Sequence, residues 1–105
     1  VTTLSTHVLD AGLGAPAAGV AVTLSGPDGH RVAGGTTDAD GRLRFEEPLS
    51  PGTHRLLLET GAWFDAAGRD HLHPEVVVAV TVADRPHLHV ALLLGPWSYT
   101  TYRGS

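Results

Sequence analysis

Turn-forming residues interrupt this chain so often that no long helix fits between them. Asp10 to Gly14, Pro27-Asp28-Gly29, Asp38 to Gly41, Pro48 to Gly52 and Ala83 to Pro86 each bring together Gly, Pro or Asp in the manner of a chain reversal. Where the intervening segments show a period, it is two residues. Val20, Val22 and Leu24 fall on one face and Ala21, Thr23 and Ser25 on the other, as in a half-buried strand.

Strands are expected over Ser5 to Leu9, from Val20 to the Pro27 turn, and over Arg31 to Thr36, Arg42 to Phe45, His54 to Glu59, Glu75 to Val82 and His87 to Leu94. The leucines at 56, 57 and 58 would also suit a helix. Thr60 to Asp70, with Ala62, Trp63, Phe64, Ala66 and Ala67 between two glycines, fits about two helical turns. The run of valines from Val76 reads as a strand covered on both faces. Roughly seven or eight strands that do not alternate with helices predict an all-β sandwich of two antiparallel sheets with one short helix. At 105 residues the chain supports a single domain spanning 1–105, because two cores would each be too small.

Composition removes several function classes. A net charge of -4 with only 7 Lys+Arg leaves no basic footprint for nucleic acid. The apolar stretches Val76 to Val80 and Val90 to Leu94 are far short of the ~20 residues of a membrane-spanning helix, so a soluble protein with no membrane partner is expected. The absence of Cys excludes disulfides, thiolate nucleophiles and Cys-based zinc sites. A cytoplasmic location is expected, although a chain beginning at Val1 leaves a trimmed leader open. Seven His, as many as Lys and Arg together, point to chemistry.

Alternation along the last strand puts His87, His89, Ala91 and Leu93 on one face and Leu88, Val90, Leu92 and Leu94 on the other. The apolar face goes to the core, so two imidazoles emerge together beside the small Ala91. Three readings follow. The histidines are merely solvated; or His-x-His, present at His71/His73 and His87/His89, shares a metal ion; or a neutral His removes a proton from water while an Arg steadies the oxyanion. The third needs His7, Arg42 and His89 in one pocket, and spacing alone does not bring three strands together.

The C-terminal stretch from His89 through Leu94-Gly-Pro-Trp-Ser-Tyr-Thr-Thr to Tyr102-Arg103-Gly104-Ser105 resembles the ending of 5-hydroxyisourate hydrolases, a branch of the transthyretin-like family. Ser5-Thr-His-Val-Leu-Asp10 with Gly14-Ala-Pro-Ala17, and Thr37-Asp-Ala-Asp-Gly-Arg42, resemble two further blocks of that family, in the same order. Departures stand at Ala91, Gly95 and Leu72-His73-Pro74, where the family usually has Pro, Ser and Phe-Tyr-Pro. The resemblance implies a transthyretin-like (prealbumin-like) sandwich and hydrolytic ring opening of 5-hydroxyisourate in urate degradation. It implies His7, Arg42 and His89 as catalytic residues, and Tyr102, Arg103, Gly104 and Ser105 as substrate-binding, the last through its hydroxyl or a terminal carboxylate. It implies no cofactor and no metal, and a homotetramer with active sites between dimers. The family's hormone carriers share the fold without the Tyr-Arg-Gly-Ser ending or the His/Arg/His set, and are the competing expectation.

Overall fold

In chain order, the computed structural model contains β1 (Thr2–Asp10), β2 (Ala15–Pro16), β3 (Ala21–Ser25), β4 (Arg31–Thr36), β5 (Arg42–Leu49), β6 (Gly52–Leu58), α1 (Thr60–Ala66), β7 (Val76–Val82), β8 (His87–Leu94) and β9 (Tyr99–Arg103). It describes residues 1–104. One sheet runs β4-β3-β6-β7 and is antiparallel throughout. The other runs β2-β1-β8-β9, with β5 pairing the same edge of β1 as β2 does. Its central pair, β1 with β8, is parallel, and its other pairs are antiparallel.

Strict alternation places the core. On β1 the residues Thr2, Leu4, Thr6, Val8 and Asp10 are buried and those between are half-buried. Leu4 and Val8 of β1, Phe45 of β5 and Leu88, Val90, Leu92 and Leu94 of β8 pack against Val22, Leu24, Leu56, Leu58 and Val76 of the facing sheet. Burying one such Leu contributes about 1.5–3 kcal/mol. The half-buried residues of β1 and β8 therefore share the outer face of their sheet.

Two local expectations change and one open alternative closes. The valine strand β7 is not covered on both faces: it is the edge of its sheet, and Val77 is 50% exposed with Ala79 and Thr81 beside it. Leu56, Leu57 and Leu58 are strand, because β6 is held between β3 and β7. The helix stops at Ala66, and 67–75 is a loop that packs back on the sandwich.

That loop is fastened by Arg69. Its Nη1 donates to Asp10 Oδ2 at 2.5 Å, while the amides of Gly12 and Leu13 donate to Oδ1 at 2.9 and 3.0 Å. Asp10 is 1% exposed. Burial pushes its carboxyl up, but the Arg69 hydrogen bond and charge and the two amides outweigh this and hold it below its ordinary 3.8. A lowered folded value stabilises the fold above pH 3.8, and that contribution is lost as pH falls through the folded value. Arg69→Ala strands the buried carboxylate. It is expected to cost about 2–4 kcal/mol in urea unfolding at pH 7. In acid, where Asp10 is protonated in both proteins, the difference should shrink; a constant gap would show that Arg69 acts by packing on Phe64, whose ring centroid is 4.9 Å away.

No helix among the described residues is long and apolar enough to cross a membrane.

Candidate active site

Register brings the three sequence-selected residues to one face. In the antiparallel β1–β5 pair, His7 stands opposite Arg42 and Ser5 opposite Arg44. In the parallel β1–β8 pair, Ser5 stands beside His89, His7 beside Ala91 and Thr3 beside His87. Directly paired residues share a face, so His7, Arg42 and His89 all lie on the outer side of the sheet. His7 and His89 are diagonal neighbours with ring centroids 6.4 Å apart and planes tilted by 39°.

The turn before β5 aims Arg42. Asp38 Oδ1 accepts from the amides of both Asp40 and Arg42 at 2.9 Å. Gly41, at φ 75°, passes so close to β1 that a Cβ there would overlap the Val8 carbonyl. The same turn orients His7, whose Nε2 lies 2.9 Å from the Asp40 carbonyl oxygen. A carbonyl only accepts, so Nε2 carries the hydrogen and neutral His7 keeps its lone pair on Nδ1.

His89 is held differently. Its Nδ1 is 2.7 Å from Ser5 Oγ, which is also 2.8 Å from His87 Nε2; His87 Nδ1 in turn is 2.7 Å from Thr3 Oγ1. Desolvation lowers the His89 pKa below its ordinary 6.5, and the charges of His7, Arg42 and His87 lower it further. His89 is therefore neutral at pH 7. Ser5, Thr6, Asp38, Arg42, Leu43, Arg44, His87 and His89 line a cleft of ≈ 410 Å³ on this face. A wider cleft of ≈ 610 Å³, at the other end of β1, is lined by residues 48–51 and 83–86 with Val1 and Thr2 and contains no histidine.

The C-terminal residues divide. Strand β9, which alternation did not reveal, pairs with β8 so that Tyr102 is opposite Ala91 and Arg103 opposite Val90. Tyr102 thus joins the row Arg42-His7-Ala91 on the outer face, half exposed. Arg103 belongs to the opposite face, where it is exposed at the sheet edge. The amide of Gly104 donates to the His89 carbonyl at 2.9 Å, and its α-carbon lies against the His89 ring. Ser105 lies outside the described residues. Ala91 is only 5% exposed, flanked on its two sides by the paired residues His7 and Tyr102.

The second His-x-His is elsewhere. His71 stacks on Phe64 with centroids 5.4 Å apart, and His73 meets Tyr99 edge-on at 5.1 Å. Both serve packing of the loop after the helix. Among the described residues no group of three or more His, Cys, Asp or Glu is arranged to hold a metal ion. Residues that spacing did not single out are Thr3 and Ser5; their position four and two residues before His7, on the same strand face, was the available signal.

Such a face offers a neutral imidazole and a guanidinium lining one cleft, with a second imidazole of fixed tautomer beside them on the same face. That set can deprotonate water and stabilise an oxyanion. Comparison with known proteins points the same way. The HIUase/transthyretin family model matches residues 4–104. The chain is 45% identical to a 5-hydroxyisourate hydrolase of Caulobacter vibrioides, over 97% of this chain and 97% of that one. A solved 5-hydroxyisourate hydrolase from Klebsiella pneumoniae superimposes with a TM-score of 0.91 at 42% identity, covering 99% of this chain and 94% of the other. A transthyretin from Sparus aurata superimposes at 0.88 and 33% identity, covering 96% and 95%.

Proposed function

The chain belongs to the HIUase/transthyretin family, and within it we propose that it is a 5-hydroxyisourate hydrolase acting in urate degradation. The fold is common to hydrolases and carriers, so the side chains decide between them. The observation that carries the reading is that His7, Arg42 and His89, from three strands, surround one face, with Gly104 packed on the His89 ring.

The reaction is hydrolysis of a cyclic amide. Water adds to a ring carbonyl, the C–N bond breaks, and the ring nitrogen leaves with a proton, giving 2-oxo-4-hydroxy-4-carboxy-5-ureidoimidazoline. His7 and His89 flank the attacking water. The Arg42 guanidinium binds carbonyl oxygens of the flat substrate and stabilises the tetrahedral oxyanion. Tyr102 and Gly104 border the substrate from the β9 side, and Ser105 is a substrate-binding residue in the same reading, whereas Arg103, on the opposite face, stands outside the cleft. Neither metal nor cofactor takes part. The outer face of this sheet, with half-buried Leu9 and Leu93 and exposed Tyr102, is the natural contact between dimers of a homotetramer, so that facing subunits enclose the open cleft. The same reading places the enzyme in the cytoplasm.

Purified protein is expected to accelerate the loss of ultraviolet absorbance of freshly generated 5-hydroxyisourate, and to do so undiminished in strong chelator. Decay at the buffer rate would overturn the enzyme reading. Loss of activity with chelator would transfer the chemistry to a metal, and tight thyroxine binding without turnover would make the chain a carrier.

A further inference from the structure

Resting on the hydrolase reading, we infer that Ser5 and His87 are positioning residues that fix His89 as the general base, with its lone pair on Nε2, and carry away the charge it acquires. Ser5 Oγ has one proton and two imidazole partners, His87 Nε2 at 2.8 Å and His89 Nδ1 at 2.7 Å. It donates to one and accepts from the other. Arg44, opposite Ser5, is engaged by Glu46 at 3.2 Å and does not enter the chain.

Only two directions of the chain are self-consistent for neutral rings. In one, Thr3 donates to His87 Nδ1, His87 Nε2 donates to Ser5, and Ser5 donates to His89 Nδ1, leaving an N–H at His89 Nε2. In the other, His89 Nδ1 donates to Ser5, Ser5 donates to His87 Nε2, and His87 Nδ1 donates to Thr3 Oγ1 at 2.7 Å, leaving the lone pair at His89 Nε2. Arg42 and His89 line the same cleft, with the Arg42 guanidinium as its cation. A lone pair facing a cation is favoured over an N–H dipole facing it. The second direction follows. His7 also keeps a lone pair, on Nδ1, but its Nε2 ends at the Asp40 carbonyl, which takes up no proton, so no relay stands behind it.

The relay balances. As the water oxygen bonds to the carbonyl carbon, its proton passes to His89 Nε2. The His89 Nδ1 proton moves to Ser5 Oγ, and the Ser5 proton moves to His87 Nε2. One positive charge appears and ends on His87, two rows of the sheet face away from the row that holds Arg42, with Thr3 Oγ1 accepting from Nδ1. The reverse shift returns a proton to His89 for the departing ring nitrogen.

Imidazole nitrogen NMR on the folded protein at pH 8 reads the tautomer without substrate. Wild type is expected to show His89 as the Nδ1–H form. Ser5→Ala should convert it to Nε2–H and lower kcat about tenfold with KM little changed, and Ser5→Thr should restore both. His87→Gln keeps an acceptor for the Ser5 hydroxyl but takes no proton; it should preserve the His89 tautomer and still lower kcat about tenfold. An Nε2–H tautomer in wild type overturns the inference, as does a Ser5→Ala protein unchanged in tautomer and kcat. An unimpaired His87→Gln enzyme overturns the relay. If Ser5→Ala does not fold, the wild-type spectrum, Ser5→Thr and His87→Gln still decide. Absence of hydrolysis with the Nδ1–H tautomer present would count against the hydrolase reading, not against the hydrogen-bond direction.

Discussion

His89→Ala is expected to lower kcat/KM by about 10²- to 10⁴-fold, the usual contribution of a positioned general base. In free energy this is about 3–5 kcal/mol of transition-state stabilisation. The fold should survive, since His89 is half-buried on the outer face and its removal leaves no side chain of the core unpaired. Far-ultraviolet circular dichroism and the sedimentation profile check that point. The pH dependence gives an independent readout. His89 must be neutral to accept a proton, and desolvation together with the charges of His7, Arg42 and His87 lowers its pKa from 6.5. Activity should therefore persist below pH 6.5 and fall only as pH drops through the lowered value. Arg42→Gln should lower the rate by about 10²- to 10³-fold through lost oxyanion stabilisation. Because it also removes a neighbouring charge, the acid limb of its profile should move upward, towards 6.5. An unchanged rate for His89→Ala would take that residue out of the mechanism.

The sandwich was legible because its strands announce themselves locally. Val20, Val22 and Leu24 alternate with polar partners, and Asp38-Ala39-Asp40-Gly41 marks a turn. Strand identity is a local property; strand pairing is not. Nothing in the sequence states that β1 lies between β5 and β8, so the opposition of His7 to Arg42 and the adjacency of Ser5 to His89 came from the fold, or were implied by family resemblance. Edge strands misled in both directions. β7 has Val77 and Ala79 on its exposed face, which hides its alternation, and β9 is exposed along its whole length, so it has no apolar rhythm to detect. Its Tyr99-Thr100-Thr101-Tyr102 composition, favourable to strands, was the remaining clue. The split of Tyr102 from Arg103 follows from the two-residue period once β9 is known to be a strand. A four-residue motif that looked like one contact surface is thereby divided between two faces.

Gly104→Ala tests whether that motif acts through His89. A Cβ at position 104 would stand 2.4 Å from His89 Cδ2 and 3.4 Å from both Cγ and Nε2, so backbone or ring must shift. The ring has little freedom, being tied to Ser5 through Nδ1 at 2.7 Å. The Gly104 amide is likewise tied to the His89 carbonyl at 2.9 Å. Either the imidazole tilts off Ser5, or the chain after Arg103 lifts from the sheet edge and takes the C-terminal border of the cleft with it. A displacement near 1 Å at a reacting group costs on the order of 10²-fold in rate. Gly104→Ala is thus expected to lower kcat about 10²-fold with thermal stability nearly unchanged, since half-buried Gly104 follows an exposed edge strand and lies outside the core. The two modes of failure separate in the spectra: tilting disturbs the His89 tautomer and moves the acid limb, whereas lifting raises KM and leaves the tautomer alone. Full activity in Gly104→Ala would mean that the glycine is a family signature without a steric role, and that the C-terminal residues contribute through a different contact.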